Sequence, residues 1–192
     1  MASRLIAMAA GILAASLSGA AAMGSGPAGS NAPAKGGGHM DFRLTSTAFE
    51  DGQTIPAKHT GDGADASPPL QWTEPPQGTR AFVVICDDPD APGGVWVHWV
   101  LYDLPDTARS LPENVAKTAT VLGSAKQGLT DFRRTGYWGP APPPGRPHRY
   151  SFRVYAVDHA VALPAGATKK QVLKAAEGHV LATAELMGKY GR

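Results

Sequence analysis

Three separated segments place polar, titratable residues where apolar runs begin or end. Asp87-Asp88-Pro89-Asp90-Ala91-Pro92 directly follows one such run. His98 lies inside a second, Val95-Trp96-Val97-His98-Trp99-Val100-Leu101. Gly139-Pro140-Ala141-Pro142-Pro143-Pro144-Gly145 leads into a third, which opens with His148-Arg149-Tyr150. Imidazole and phenol groups donate hydrogen bonds, and backbone N–H groups of a glycine loop do the same, so the set suits a small anion. Prolines hold such a loop rigid at little entropic cost. Histidines beside aspartates are also the ingredients of acid–base or metal chemistry. Each piece taken singly has a plainer reading. His98 alone is a core histidine, Asp-Pro-Asp-Ala-Pro a turn, the Pro/Gly run a loop, and Tyr150 a core aromatic. Their joint occurrence carries the signal.

The elements that must position these groups are strands. Residues 41–46 alternate apolar and polar side chains. Residues 81–86 form a continuous apolar run stopped by Asp-Asp-Pro-Asp-Ala-Pro, residues 95–103 form a second stopped at Pro105, and residues 148–157 alternate strictly. A strand period of two puts His98, Val100 and Tyr102 on one face and Trp99 and Leu101 on the other. It also puts His148, Tyr150, Phe152, Val154 and Ala156 on one face, with Arg149 and Arg153 pointing away. His148 and Tyr150 then stand about 7 Å apart, suited to gripping two sides of one small ligand. Toward the C-terminus, Thr168 caps an expected helix along which Val172, Ala176, Val180, Ala184 and Met187 recur, with Gly178 as its weak point. The fold class is mainly β (α+β): an antiparallel β-sandwich with a C-terminal helix.

The 192 residues suffice for one domain with a sizeable core. Glycine (23) and proline (17) cluster between apolar runs, which favours short strands joined by turns over a helical bundle. The net charge of +2 comes from Arg4 and Lys35, so residues 41–192 are balanced and lack the basic footprint of a nucleic-acid binder. The single cysteine, Cys86, excludes an intrachain disulfide and a multi-cysteine metal site, and reads as a small apolar strand residue. Residues 1–22 read as a signal peptide: Arg4, an apolar stretch from Leu5, and an Ala-x-Ala step at Ala20–Ala22. Residues 23–40 read as a flexible Gly/Ser/Pro-rich linker. The expectation is export, periplasmic or secreted, with residues 41–192 as the folded domain.

The combined pattern resembles the phosphatidylethanolamine-binding protein family, in particular its bacterial Raf-kinase-inhibitor-like branch. The pieces that carry the resemblance are Thr60-Gly61-Asp62-Gly63 with Ser67-Pro68-Pro69-Leu70-Gln71-Trp72, then Asp88-Pro89-Asp90-Ala91-Pro92 and His98-Trp99-Val100. Tyr137-Trp138-Gly139-Pro140, Pro142-Pro143, and Gly145 with His148-Arg149-Tyr150 complete it. They follow the family's order across residues 41–192. The resemblance implies a large central antiparallel sheet packed on a smaller one, with helices near the C-terminus. It also implies a shallow pocket for phosphate-like anions or phospholipid headgroups. By position, Asp88, His98, His148 and Tyr150 match the family's pocket residues, and Ala141, Pro142 and Pro143 its backbone rim. Two departures stand out: Thr130-Asp131-Phe132-Arg133 where bacterial relatives have Asn-Asp-Phe-Gly, and Trp138 in place of a smaller residue. Arg133 either adds positive charge at the rim or points to solvent.

The leading reading is a non-enzymatic binding module for phosphate groups or headgroups such as phosphoethanolamine, without cofactor or metal. Peripheral membrane contact and homodimerisation are compatible with it. Asp88 would repel a bare dianion, so it orients a histidine, accepts a proton from a monoprotonated phosphate, or meets a ligand ammonium. One alternative is a regulator of a kinase or protease, with an unknown protein partner. A His/Asp phosphoester hydrolase is a weaker alternative, since no His-x-His or His-x-x-x-His spacing and no nucleophile accompany the set.

Overall fold

Among the described residues, apolar runs of strand length, cut by proline and glycine, pair into two antiparallel sheets and leave room for one short α-helix. The computed structural model describes residues 41–192. The expected signal peptide and linker lie outside the described residues. In chain order the elements are β1 (Leu44–Thr45), β2 (Leu70–Trp72), β3 (Ala81–Asp88), β4 (Trp96–Pro105), β5 (Ser110–Leu111), β6 (Thr120–Val121), β7 (Ala125–Gln127), β8 (His148–Val157), α1 (Lys169–Ala175) and β9 (Val180–Tyr190).

The small sheet has the order β1-β2-β5 and the large one β6-β7-β4-β3-β8-β9. Strand β3 is buried along its whole length, because both its faces are covered. One face sets Phe82, Val84 and Cys86 against Trp99, Phe152 and Val154, and closes on Leu44, Leu70, Trp72 and Leu111 of the small sheet. The other face sets Val83 and Ile85 with Val100 and Tyr102 against Val161, Ala167 and Val172, the last on α1. The result is three layers: small sheet, large sheet, and helix with its flanking loop.

Two expectations are corrected. The helix capped by Thr168 exists, with Thr168 and Gln171 forming a reciprocal capping box, but it ends at Ala175. Gly178, at φ +81°, turns the chain, and the stretch holding Val180, Ala184 and Met187 is strand β9, paired with β8 over ten register positions. The domain therefore ends on an edge strand that follows its helix. The second correction concerns β4. Cys86 pairs with Trp99 but Asp87 pairs with Val97, so His98 is an extra residue on β4, a β-bulge. Strict alternation fails there. Val97, Val100 and Tyr102 pack on the helix side, whereas the His98 ring meets Tyr150 on the opposite side, centroids 5.2 Å apart.

Candidate functional site

Strands β3, β4 and β8 bring the chemistry to one end of the large sheet, on the face that packs against the small sheet. Asp88 ends β3, one pair beyond Cys86 and Phe152 on the same side. His148 and Tyr150 open β8 on the row that continues through Phe152 and Val154 into the core, as the period of two requires. His98 reaches this face only through the bulge. Together with Ala141, Pro142 and Pro143 they line one cavity of about 350 Å³. All seven residues singled out in the sequence thus meet at one place.

The hydrogen bonds give each group a fixed part. Asp88 is 4% exposed, yet both its oxygens are engaged: Oδ1 accepts from the Asp90 N–H at 2.8 Å, and Oδ2 lies 2.7 Å from His148 Nδ1. A carboxylate can only accept, so Nδ1 of His148 carries the proton and Nε2 is the free nitrogen. His98 is arranged in the same way. Its Nδ1 donates to the Trp138 carbonyl, again leaving Nε2 without a protein partner among the described residues. Burial lowers the His98 pKa, against the opposing pull of that carbonyl and of Asp88. Burial also raises the Tyr150 phenol far above its usual range, and the adjacent Asp88 carboxylate adds to this, so the hydroxyl keeps its proton and can donate. Cys86, one turn of the pleat behind Asp88, is pushed up by burial and then by the two aspartates. It is an inert core thiol.

The surrounding loops hold these groups in place. Arg149 points away from the cavity, as expected, but grips Asp90 through its backbone N–H, Nε and Nη2 at 2.9, 2.8 and 2.7 Å. Those bonds hold the Asp90 carboxyl well below the usual carboxylate range and tie the loop after β3 to the start of β8. The rim is supported from beneath by the Thr60-Gly61-Asp62-Gly63 turn, whose Gly61 N–H donates to the Pro140 carbonyl at 2.8 Å. Gly139 lies so close to this turn that a Cβ there would stand 2.6 Å from the His59 carbonyl oxygen. Pro142 and Pro143 have no N–H, so they shape the rim and do not donate. Of the three rim residues only Ala141 has a backbone donor.

Five further lining residues were not singled out as ligand contacts: Ala91, Pro92, Gly93, Trp96 and Phe132. Phe132 stands edge-on to both His98 and Trp96, with centroids 5.3 and 5.5 Å away. Its loop is clipped to β4 by Asp131, whose Oδ2 accepts from the Val97 N–H while its own N–H donates to the Val97 carbonyl. An exposed aromatic two residues before a buried histidine was the available signal for Trp96. Arg133 does not line the cavity. It lies on the neighbouring groove with Lys169 and Lys170. Trp138 stacks under Lys117 and Arg134 and holds His98 through its backbone, its carbonyl accepting from His98 Nδ1 and its N–H donating to the His98 carbonyl at 3.0 Å. Among the described residues, the cavity lining therefore includes no lysine or arginine.

A two-sheet sandwich with a small cavity at the end of its central strands, a few polar groups set in a largely apolar lining, defines a recognisable class of β domain. The family model described as Phosphatidylethanolamine-binding protein matches residues 45–191, and the chain belongs to that family. It is 46% identical to a UPF0098 protein of Methanothermobacter thermautotrophicus over 151 residues, 79% of this chain and 99% of that one. It is 39% identical to the UPF0098 protein YbhB of Escherichia coli, with 76% of this chain and 97% of the relative covered. Among solved structures it is similar to E. coli YbcL, described as a member of the mammalian PEBP family, with TM-score 0.74, 33% identity, and 79% and 98% of the two chains covered. A homologue from Chlamydia trachomatis gives TM-score 0.72 at 40% identity, covering 79% of this chain and 97% of that one.

Proposed function

We propose that the cavity receives a phosphate group, on a small ester or on a phospholipid headgroup, and that the protein acts as a binding module and not as a catalyst. One observation carries this reading. Both imidazoles spend Nδ1 on a protein acceptor, so their two remaining nitrogens stand beside a phenol that keeps its proton. With Nε2 protonated, these are three donors for phosphate oxygens. Of the three roles open to Asp88, its bonds favour the first: its oxygens accept from Asp90 and His148 beside the Tyr150 phenol, so it orients an imidazole. With no permanent cation in the lining, the positive charge that attracts the anion is the imidazolium itself. The volume of about 350 Å³ falls within the usual range for small-molecule sites, and suits a headgroup rather than acyl chains.

Calorimetric titration with inorganic phosphate, phosphoethanolamine and glycerophosphoethanolamine tests this, with phosphatidylethanolamine vesicles as a fourth arm that separates a lipid source from a free one. Saturable binding of the phosphate-bearing probes, abolished in H98A/H148A, is expected. Absence of heat with all four probes, or turnover of a phosphate ester with or without added zinc, would overturn the reading.

A further inference from the structure

At the opposite end of β8 the fold assembles a second polar cluster, unrelated to the cavity. Asp158 and His159 directly follow β8, and His179 directly precedes β9. One ligand atom from each, a carboxylate oxygen or an imidazole nitrogen, lies within 4.8 Å of the others. His179 Nδ1 stands 2.8 Å from Asp158 Oδ1, and His159 Nδ1 stands 3.4 Å from the same oxygen. The two rings pack at a 55° tilt with centroids 4.0 Å apart. Backbone bonds fix this arrangement: the Asp158 N–H donates to the His179 carbonyl at 3.1 Å, and the His179 N–H to the Ala176 carbonyl at 3.0 Å.

A hydrogen bond between His179 and Asp158 accounts for two of the three groups. It leaves His159 Nδ1 shielded from solvent with no hydrogen-bond partner, alone among the buried side-chain polar atoms of the described residues. Such an atom is costly unless something satisfies it. A divalent ion about 2.0–2.1 Å from each donor would do so, because ligand atoms around a four-coordinate ion of that size sit roughly 3.3–3.4 Å apart. The His159-to-Asp158 spacing already has that value, and the His179-to-Asp158 spacing needs only a sub-ångström opening.

We propose that Asp158, His159 and His179 form a binding site for a late first-row divalent cation, Zn²⁺ or its neighbours Co²⁺ and Ni²⁺. Two imidazoles and one carboxylate select these ions over Ca²⁺ and Mg²⁺, which prefer all-oxygen shells. All three side chains remain 41–47% exposed, so water completes the shell. The ion would bridge the two feet of the excursion that carries α1, stapling it where it leaves and rejoins the large sheet. Ligand-spacing rules miss the site because His159 and His179 come from different turns and meet only when β8 and β9 pair.

The test uses tag-free full-length protein titrated with Co²⁺ and Zn²⁺. One equivalent is expected to bind, raising the melting temperature. H159A and H179A should each weaken binding by at least the ~10–100-fold that loss of a mere outer-shell partner costs. H39A should bind as the parent does, which separates the cluster from the remaining histidine of the N-terminal segment. In the parent protein, paramagnetic broadening by Co²⁺ should centre on residues 158–159 and 179 and spare His148, which lies about 30 Å away along β8. Unchanged affinity in both H159A and H179A, or broadening centred on His39 or on the cavity, would overturn the assignment. Because broadening is read on unmutated protein, a variant that fails to fold does not blur the outcome.

Discussion

Asp87 and Asp88 are adjacent in the chain, both nearly fully buried, and they face opposite sides of the same strand. Asp87 meets two permanent cations, Arg153 at 3.1 Å and Lys169, on the side covered by α1. Asp88 meets an imidazole and a backbone N–H at the edge of the cavity. The first arrangement is closed: with Glu185, 3.0 Å from Arg153, two carboxylates balance two cations. The second is open, because the partner it orients still has a free nitrogen. Burial of a carboxylate therefore does not mark a functional site. What distinguishes the two is whether the partner has binding capacity to spare and space beside it.

The comparison can be broken by mutation. D87A should produce the largest change in stability, about 3 kcal/mol in urea unfolding, because it strands part-buried Lys169 and leaves Arg153 only Glu185. It should leave ligand preference untouched. If D87A instead costs affinity but not stability, the two faces have been assigned the wrong way round. Next in size is Y150F, which removes a donor to a charged group. Affinity for phosphoethanolamine should fall about tenfold to a hundredfold, the equivalent of roughly 1.5–3 kcal/mol, with a nearly unchanged unfolding midpoint.

D88N should weaken binding of phosphoethanolamine and inorganic phosphate alike, by about tenfold, since it loosens an orienting bond and not a ligand contact. A change in the ratio between those two affinities would return Asp88 to the role of ammonium partner. The smallest effect belongs to the exposed clamp. R149A should leave the unfolding midpoint nearly unchanged and reduce affinity only through the mobility of the 88–92 loop, seen as faster amide exchange there.

Much of this contrast was visible before the fold. The apolar runs that became β3, β4 and β8 were plain, and the alternation along β8 separated His148 and Tyr150 from Arg149 and Arg153. The resemblance to a known family gathered the seven residues that share the cavity. The bulge was not visible, since nothing in Val97-His98-Trp99 announces an extra residue, and the face given to His98 was wrong for that reason. The sequence predicts helix over β9 because Val180, Ala184 and Met187 continue the helical spacing set by Val172 and Ala176. Ten pairings with β8 override that pattern. Gly188 carries a trace of the real packing: a Cβ there would stand 2.4 Å from Ile55 Cγ1, a constraint that only the assembled sandwich reveals.

The central claim is that the cavity's positive charge is an imidazolium, and its pH dependence tests that most directly. Binding of an anion favours a protonated ring, and burial lowers the His98 pKa, so its contribution to affinity should be greatest at low pH and be lost as pH rises through that lowered value. Glycerophosphoethanolamine, a phosphodiester with no titrating proton between about pH 5 and pH 8, isolates the protein's contribution. Followed by the ¹⁵N signals of the His98 ring, titration at about pH 5.5 should shift its Nε2 toward the protonated form, with affinity dropping tenfold or more by about pH 8. Affinity independent of pH, with the His98 Nε2 signal unmoved, would contradict the account.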